Sequence, residues 1–324
     1  MKNSGHKPRV DEASHYAVAP FTRELIDAVA RDRYRLRAWQ TLLSRSWARS
    51  LEDIRESRAR TRSSWSWAAA TAAAGAAIIL LAMKFQSAER ALTASLLWLP
   101  WFAGAVFFLL THLGMVDDSR GMPHQRLLLP NGLSFLRLAL APLVLWPCLQ
   151  VPVHPVAGSI FALFMAGLVL SDLLDGWLAR RLKLCTRMGR MLDVLADLAL
   201  VTFLAVGLYL AGVIPGSLLL LLIVRYPMVL PGALVLVLVR GPVPLRPTII
   251  GKVTTFAASA TLLVVACKTL LPISWPPQAW IEWSIGLLYF LLGVNILYLI
   301  KRGISWSGQR KDDSSNSDWN GGAD

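Results

Sequence analysis

"SDLLDGWLARRLKLCTRMGRMLDVLAD", residues 171–197, sets four aspartates, Asp172, Asp175, Asp193 and Asp197, at the ends of two apolar helical stretches. Asp172 and Asp175 are three residues apart and Asp193 and Asp197 four apart, so each pair shares one face of its helix. The connection "RRLKLCTRMG" is short and polar, which lets the two faces meet. A carboxylate facing lipid costs roughly 2.5–3.5 kcal/mol even on insertion scales, and four convergent acids repel one another unless a cation lies between them. An oxygen-only donor set favours a hard divalent ion such as Mg²⁺ or Mn²⁺. Magnesium keeps positions open for substrate phosphates, so a phosphorylated molecule is the expected partner. Gly176 and Gly189 are poor helix residues that permit close approach of a ligand. Arg180 lies one turn beyond Gly176 and can fork onto phosphate oxygens. The competing reading makes these acids interhelical salt bridges to neighbouring arginines; four acids, two glycines and an arginine in one register favour the ligand set.

The rest of the chain supplies the setting. It has 324 residues, is 55% hydrophobic with a mean hydropathy of +0.50, and contains several apolar runs of the length that crosses a bilayer. The expected fold class is all-α, a polytopic membrane helix bundle rather than a globular domain with one core. A net charge of +13 does not make it a nucleic-acid binder. In a membrane chain such charge belongs to loops facing anionic headgroups. Cys148, Cys185 and Cys267 are isolated, without a CxxC pair, and imply neither a disulfide framework nor a zinc site.

Residues 1–64 hold 14 Lys and Arg against 8 Asp and Glu, a net of +6, with apolar residues at helical spacing from Leu25 to Trp47. They read either as a basic amphipathic helix on the membrane surface or as a partly disordered extension, with no secretory signal core near Met1. Eight spans are expected after them, at about 65–84, 91–112, 133–150, 156 into the aspartate stretch, 191–211, 217–239, 252–271 and 280–300. The tail from 303 to 324 reads as disordered. Lys and Arg concentrate in residues 1–64, 113–130, 180–190, 240–252 and the tail, whereas "LQVPVHPV", "AGVIPGS" and "LPISWPPQ" have none. The positive-inside bias therefore puts both termini and all four aspartates on the cytoplasmic side, of the inner membrane if the source is bacterial. Tryptophans near span ends are ordinary interfacial anchors.

Asp172, Asp175, Gly176, Ala179, Arg180, Gly189, Asp193 and Asp197 fill every fixed position of D-x-x-D-G-x-x-A-R followed by G-x-x-x-D-x-x-x-D. The stretch resembles the signature of the CDP-alcohol phosphatidyltransferase family. "PNGLSFLR" at 130–137 resembles the family's opening Pro-Asn…Thr…Arg element, with Ser134 for the usual threonine. "RPTIIGKVTT" at 246–255 resembles its later Gly-Lys-x-Lys-Thr element, with Thr254 where a second lysine is common. "LDVLAD" lacks the proline and final lysine often seen there. These departures leave the aspartate set intact and bear on the acceptor subtype. The resemblance covers about 125–302, a six-span core, and leaves 65–124 as two extra N-terminal spans and a linker.

The resemblance implies transfer of a phosphatidyl group from CDP-diacylglycerol, or a related CDP-linked lipid donor, to a small polar alcohol with release of CMP. It implies two Mg²⁺ or Mn²⁺ ions on Asp172, Asp175 and Asp193, with Asp197 as general base and also within reach of the metal shell. Asn131, Gly176, Ala179, Arg180 and Gly189 would contact the CDP donor. Arg225, costly inside the apolar slot "LLIVRYPMV", and Lys252 would hold an acceptor phosphate, unless Arg225 pairs with an aspartate or snorkels to the headgroups. That favours glycerol 3-phosphate, with inositol phosphate, or a CDP-amino-alcohol donor and a lipid acceptor, as alternatives. Membrane lipids are expected partners, nucleic acid is not, and a homodimer is compatible with the resemblance. A cation transporter would place its acids near the midplane of two repeated halves; here they cluster at one rim without an internal repeat. An inactive, partner-binding member is disfavoured by the intact aspartate set.

Overall fold

The computed structural model describes residues 36–84, 88–117, 124–148, 155–182, 184, 186–228, 231–232, 249–271 and 277–317. Among them the chain is helical, in the order α1 (Leu36–Glu56), α2 (Arg58–Met83), α3 (Ala88–Thr111), a 3-10 turn (Leu113–Met115), α4 (Leu129–Leu140), a 3-10 turn (Ala141–Val144), α5 (Leu145–Cys148), α6 (Pro155–Arg181), α7 (Arg187–Leu210), α8 (Gly216–Arg225), α9 (Ile249–Leu270) and α10 (Gln278–Ser317). The all-α bundle expected from the sequence is what forms.

Seven stretches among the described residues are long and apolar enough to cross a membrane: 58–81, 92–111, 129–148, 158–179, 187–210, 249–270 and 278–301. The sixth of the eight expected spans differs. Only its first half is described as helix, the ten residues of α8, which stops at Arg225. Pro227 follows two residues later, and a proline disfavours helical backbone in the residue before it. Residues 233–248, where that span was expected to end, lie outside the described residues, as do residues 1–35 and Cys185. The last helix continues past 302 to Ser317, into the stretch expected to lack structure.

Helix α4 is the centre of the bundle, with 83% of its span buried, against 17% for α10 at the periphery. It starts with Pro130 in the first turn, where a missing N–H costs nothing. It packs against α6 and α7 on one side and α2 and α3 on the other. Helix α9 packs on α6 and α7, and α10 closes against α8 and α9. Large exposed apolar side chains such as Leu96, Leu163, Phe256 and Phe290 lie on the outward faces of α3, α6, α9 and α10. In water such a surface would drive aggregation; in lipid it costs nothing. The chain is an integral membrane protein.

The N-terminal helices are joined to this core rather than appended to it. Ala68, Ala105 and Leu109 share one buried cluster with Phe135 and Leu138 of α4 and Met188, Leu192 and Ala196 of α7. Gly132 of α4 faces the Trp67 indole of α2 so closely that a Cβ at that position would overlap it. Helix α1 packs on α3, through stacked Trp47 and Phe107 and a 2.7 Å hydrogen bond from Ser50 Oγ to the Thr111 carbonyl.

Candidate active site

Two helices deliver the four acids. Asp172 and Asp175 sit in the last turns of α6, and Asp193 and Asp197 in the second and third turns of α7. Helix α7 is started by Thr186, whose hydroxyl accepts from the Gly189 amide at 2.9 Å, an N-cap that fixes the register of both aspartates. Arg187, in the first turn, pairs through two hydrogen bonds with the buried Asp117, Nε to Oδ1 at 2.9 Å and Nη2 to Oδ2. The polar break "MVDDSRGMPHQR" thus contributes an anchor for the aspartate helix that the sequence did not mark as one.

The two acidic faces converge around a single cation. Between them lies Arg137 of α4, with no exposed surface. Its Nη1 donates to Asp172 Oδ1 at 2.5 Å and its Nη2 to Asp193 Oδ1 at 2.6 Å. Asp175 Oδ2 is 3.7 Å and Asp197 Oδ1 3.5 Å from the same guanidinium. One fork therefore ties α6 to α7. Four carboxylates around one guanidinium leave a formal charge of −3, so Arg137 does not complete the neutralisation of the cluster. The salt-bridge reading set aside from sequence is thus present in part, supplied by an arginine from a third helix.

The acids differ in exposure. Asp175 is almost fully buried, 5% of its side chain exposed, and accepts from Ser134 Oγ at 2.8 Å. Asp172, Asp193 and Asp197 are 45%, 47% and 38% open. These three each present an oxygen within 4.8 Å of the others, the spacing from which one cation takes several ligands. An all-oxygen, net-negative cluster of this kind fits hard divalent ions.

The residues expected to contact the CDP donor divide. Asn131 and Gly189 are adjacent: Asn131 Oδ1 accepts from Thr186 Oγ1 at 3.0 Å, and a Cβ on Gly189 would stand 2.5 Å from that same Oδ1. Among the described residues the buried Asn131 Nδ2 has no partner, a donor held ready. Gly176 and Ala179 lie on α6, both partly buried, beside the acids. The Arg180 side chain lies outside the described residues.

Of the residues expected at an acceptor phosphate, Arg225 is the last residue of α8, which folds back along α7. Among the described residues it makes no ion pair with an aspartate and its buried Nε has no partner, and its guanidinium lies 5.3 Å from the centre of the Tyr226 ring. Tyr226 is buried within electrostatic reach of Asp197, with Thr255 beside its hydroxyl but not in hydrogen-bonding geometry. Lys252 is exposed in the first turn of α9.

Arg137, Ser134, Thr186 and Asp117 are the residues that sequence reasoning left without a role. The signal for Arg137 was present: an arginine inside an apolar helix must be paired, and four acids needed a cation.

The comparisons agree with this geometry. The sequence pattern described as CDP-alcohol phosphatidyltransferase matches residues 127–294, just over half of the chain and all of the helices that carry the acids. A CMP-forming cardiolipin synthase from Streptomyces coelicolor is 36% identical over 143 residues, 44% of this chain and 66% of that protein. A CDP-diacylglycerol--glycerol-3-phosphate 3-phosphatidyltransferase from Aquifex aeolicus is 35% identical over 138 residues, 42% of this chain and 74% of that protein. The human CMP-forming cardiolipin synthase is 32% identical over 161 residues, 45% and 51% of the respective lengths. No solved structure matches. With four acids, the preceding Asn-Ser-Arg helix and the extent of the match in agreement, the chain belongs to the CDP-alcohol phosphatidyltransferase family.

Proposed function

We propose that this enzyme transfers the phosphatidyl group of CDP-diacylglycerol to a hydroxyl of a glycerol phosphate, releasing CMP. The observation that carries the reading is the convergence of Asp172, Asp175, Asp193 and Asp197 from two helices in the family's register. The acceptor oxygen would attack the phosphatidyl phosphorus while the bond from that phosphorus to the CMP oxygen breaks, and CMP leaves with the electron pair. Asp197, the acid of the cluster nearest the α7 interior and within electrostatic reach of Tyr226, would take the acceptor proton. Asp172, Asp175 and Asp193, with Asp197 within reach of the same ions, would hold two divalent ions, Mg²⁺ or Mn²⁺. Bound there, such ions supply charge neutralisation for the diphosphate and for the departing phosphate.

Arg137 holds the acids apart and in register, and Ser134 fixes the least solvated of them. Asn131, Gly176, Ala179, Gly189 and Arg180 would bind the cytidine and diphosphate, the unpaired Asn131 amide being the donor best prepared for it. Arg225 and Lys252 would take the acceptor phosphate, a role supported by Arg225 having no aspartate partner among the described residues. The relatives carry two names, and both fit one chemistry. Glycerol 3-phosphate is the acceptor we favour. The cardiolipin synthases among the relatives favour a second, in which the glycerol phosphate belongs to another phospholipid. The basic loops support a cytoplasmic location for this site, with residues 125–302 as the catalytic unit and 65–124 as an accessory pair of spans behind a basic extension.

The test is CMP release by purified protein from CDP-diacylglycerol with glycerol 3-phosphate, phosphatidylglycerol, inositol phosphate or serine, with Mg²⁺ and with EDTA. Activity on either of the first two that EDTA abolishes and Mg²⁺ or Mn²⁺ restores supports the reading. Full activity in EDTA overturns the metal assignment, and a preference for serine overturns the phosphate pocket.

A further inference from the structure

The helix that carries Arg137 is broken by its own sequence. Pro142 lies four residues beyond Leu138 and has no N–H, so the Leu138 carbonyl loses the partner an α-helix would give it. The chain tightens into a 3-10 turn over Ala141–Val144, which shifts the hydrogen bonds there to i→i+3 and leaves the Ala139 carbonyl without its α-helical partner as well. Two freed carbonyls inside a membrane protein need donors.

Both donors come from the N-terminal hairpin. Trp101 Nε1 of α3 donates to the Leu138 carbonyl at 2.8 Å, and Trp98 Nε1, one turn earlier on the same face, donates to the Ala139 carbonyl at 3.0 Å. Their seats are specific. Trp98 is 4% exposed and its six-membered ring lies over Gly75 of α2, where any Cβ would overlap it. Trp101 stands edge-on to Phe203 of α7 at 4.8 Å and 89°. One indole therefore spans the arginine helix and an aspartate helix. Trp98 is buried and Trp101 partly buried, and each donates its indole N–H to α4, whereas Trp65 is half-exposed.

We infer that Trp101 and Trp98 are positioning residues for phosphatidyl transfer, and that spans α2 and α3 act as a clamp that fixes the bend of α4 immediately after Arg137. The inference rests on the transferase reading for its activity readout. The clamp sets where the guanidinium stands between the acids, so losing a donor loosens the site without touching substrate.

The experiment compares wild type with Trp101→Phe, Trp98→Phe, Pro142→Ala and the double variant Trp101→Phe/Pro142→Ala, with Trp65→Phe as control. Phenylalanine keeps an aromatic ring and removes the donor. Alanine at 142 restores a backbone N–H to the Leu138 carbonyl. Trp101→Phe is expected to lower kcat about tenfold, the worth of one net hydrogen bond, with KM for both substrates within twofold. The double variant is expected to recover most of that loss, and Trp65→Phe to leave kcat unchanged. Mn²⁺ affinity of the purified full chain should fall with kcat in Trp101→Phe and return in the double variant. An unchanged kcat in Trp101→Phe overturns the clamp, as does a loss that Pro142→Ala does not repair, or a drop in melting temperature with unaltered kinetics. If Trp101→Phe does not fold, Trp98→Phe must show the kcat loss, and a wild-type kcat there overturns the clamp. If wild type releases no CMP under any condition, the transferase reading fails by itself, and the Mn²⁺ affinities of the same variants still decide the clamp.

Discussion

Replacing Arg137 by methionine isolates the charge of the central fork while nearly keeping its volume. Arg137 donates at 2.5 and 2.6 Å to acids on two different helices. Charge-assisted hydrogen bonds contribute about 1.5–3 kcal/mol each, so the gross loss is roughly 3–6 kcal/mol. Asp172 and Asp193 are nearly half open and rehydrate when released, which trims that loss. Asp175 cannot, being 5% exposed with Ser134 as its remaining donor. Removing one partner of a buried ion pair typically costs about 3–5 kcal/mol, and with the discount about 3 kcal/mol is expected here. Unfolding of full-length protein in detergent micelles, followed by tryptophan fluorescence with EDTA present, should show that drop. Saturating Mg²⁺ should then stabilise Arg137→Met more than it stabilises wild type, because divalent charge takes over what the guanidinium did. A variant as stable as wild type in EDTA would falsify the view that Arg137 neutralises the cluster. A deficit that Mg²⁺ leaves untouched would move Arg137 from charge balance to packing.

Asp197→Asn should retain Mn²⁺ and CDP-diacylglycerol binding while turnover falls by roughly 10²–10⁴-fold, the contribution of a positioned base; loss of donor binding would make it a ligand instead. Gly189→Ala puts a Cβ 2.5 Å from Asn131 Oδ1 and 3.1 Å from Thr186 Oγ1. It should raise the donor KM at least about tenfold, by displacing hydrogen-bonded groups of ordinary strength, which steady-state kinetics against CDP-diacylglycerol will show. Arg225→Ala and Lys252→Ala should raise the acceptor KM by roughly ten- to a hundred-fold, one charge-assisted contact each, with donor binding unchanged. Equal effects on a phosphate-free alcohol would return Arg225 to a bracing role.

The acids were legible because their spacing is a property of the helix itself: residues three and four apart share a face wherever that helix packs. The bundle was legible from apolar run lengths. What ties the acids together was not. Arg137 is 35 residues from Asp172 and 56 from Asp193 along the chain, and no local periodicity connects them. Asp117 looked like one charge in a polar linker, and only its distance to Arg187 after folding distinguishes it. Trp98 and Trp101 sit where interfacial anchors are expected, so their composition signal pointed outward while their indoles point into α4. The α8 boundary shows hydropathy yielding to proline: the apolar run continues past Arg225 but the described helix does not.

The pairing of Asp117 with Arg187 bears on how this enzyme can be cut. The family resemblance begins at residue 127, ten residues after Asp117. A fragment trimmed to that point keeps every acid and the whole signature, yet it strips the counter-ion from an arginine in the first turn of α7. Positive charge there adds to the positive end of the helix dipole instead of opposing it, at the turn that orients Asp193. The inherited module and the mechanical module therefore have different edges. A recombinant core that begins upstream of Asp117 should fold with Arg187 charge-balanced, whereas one begun at the edge of the match should require added anions to do so.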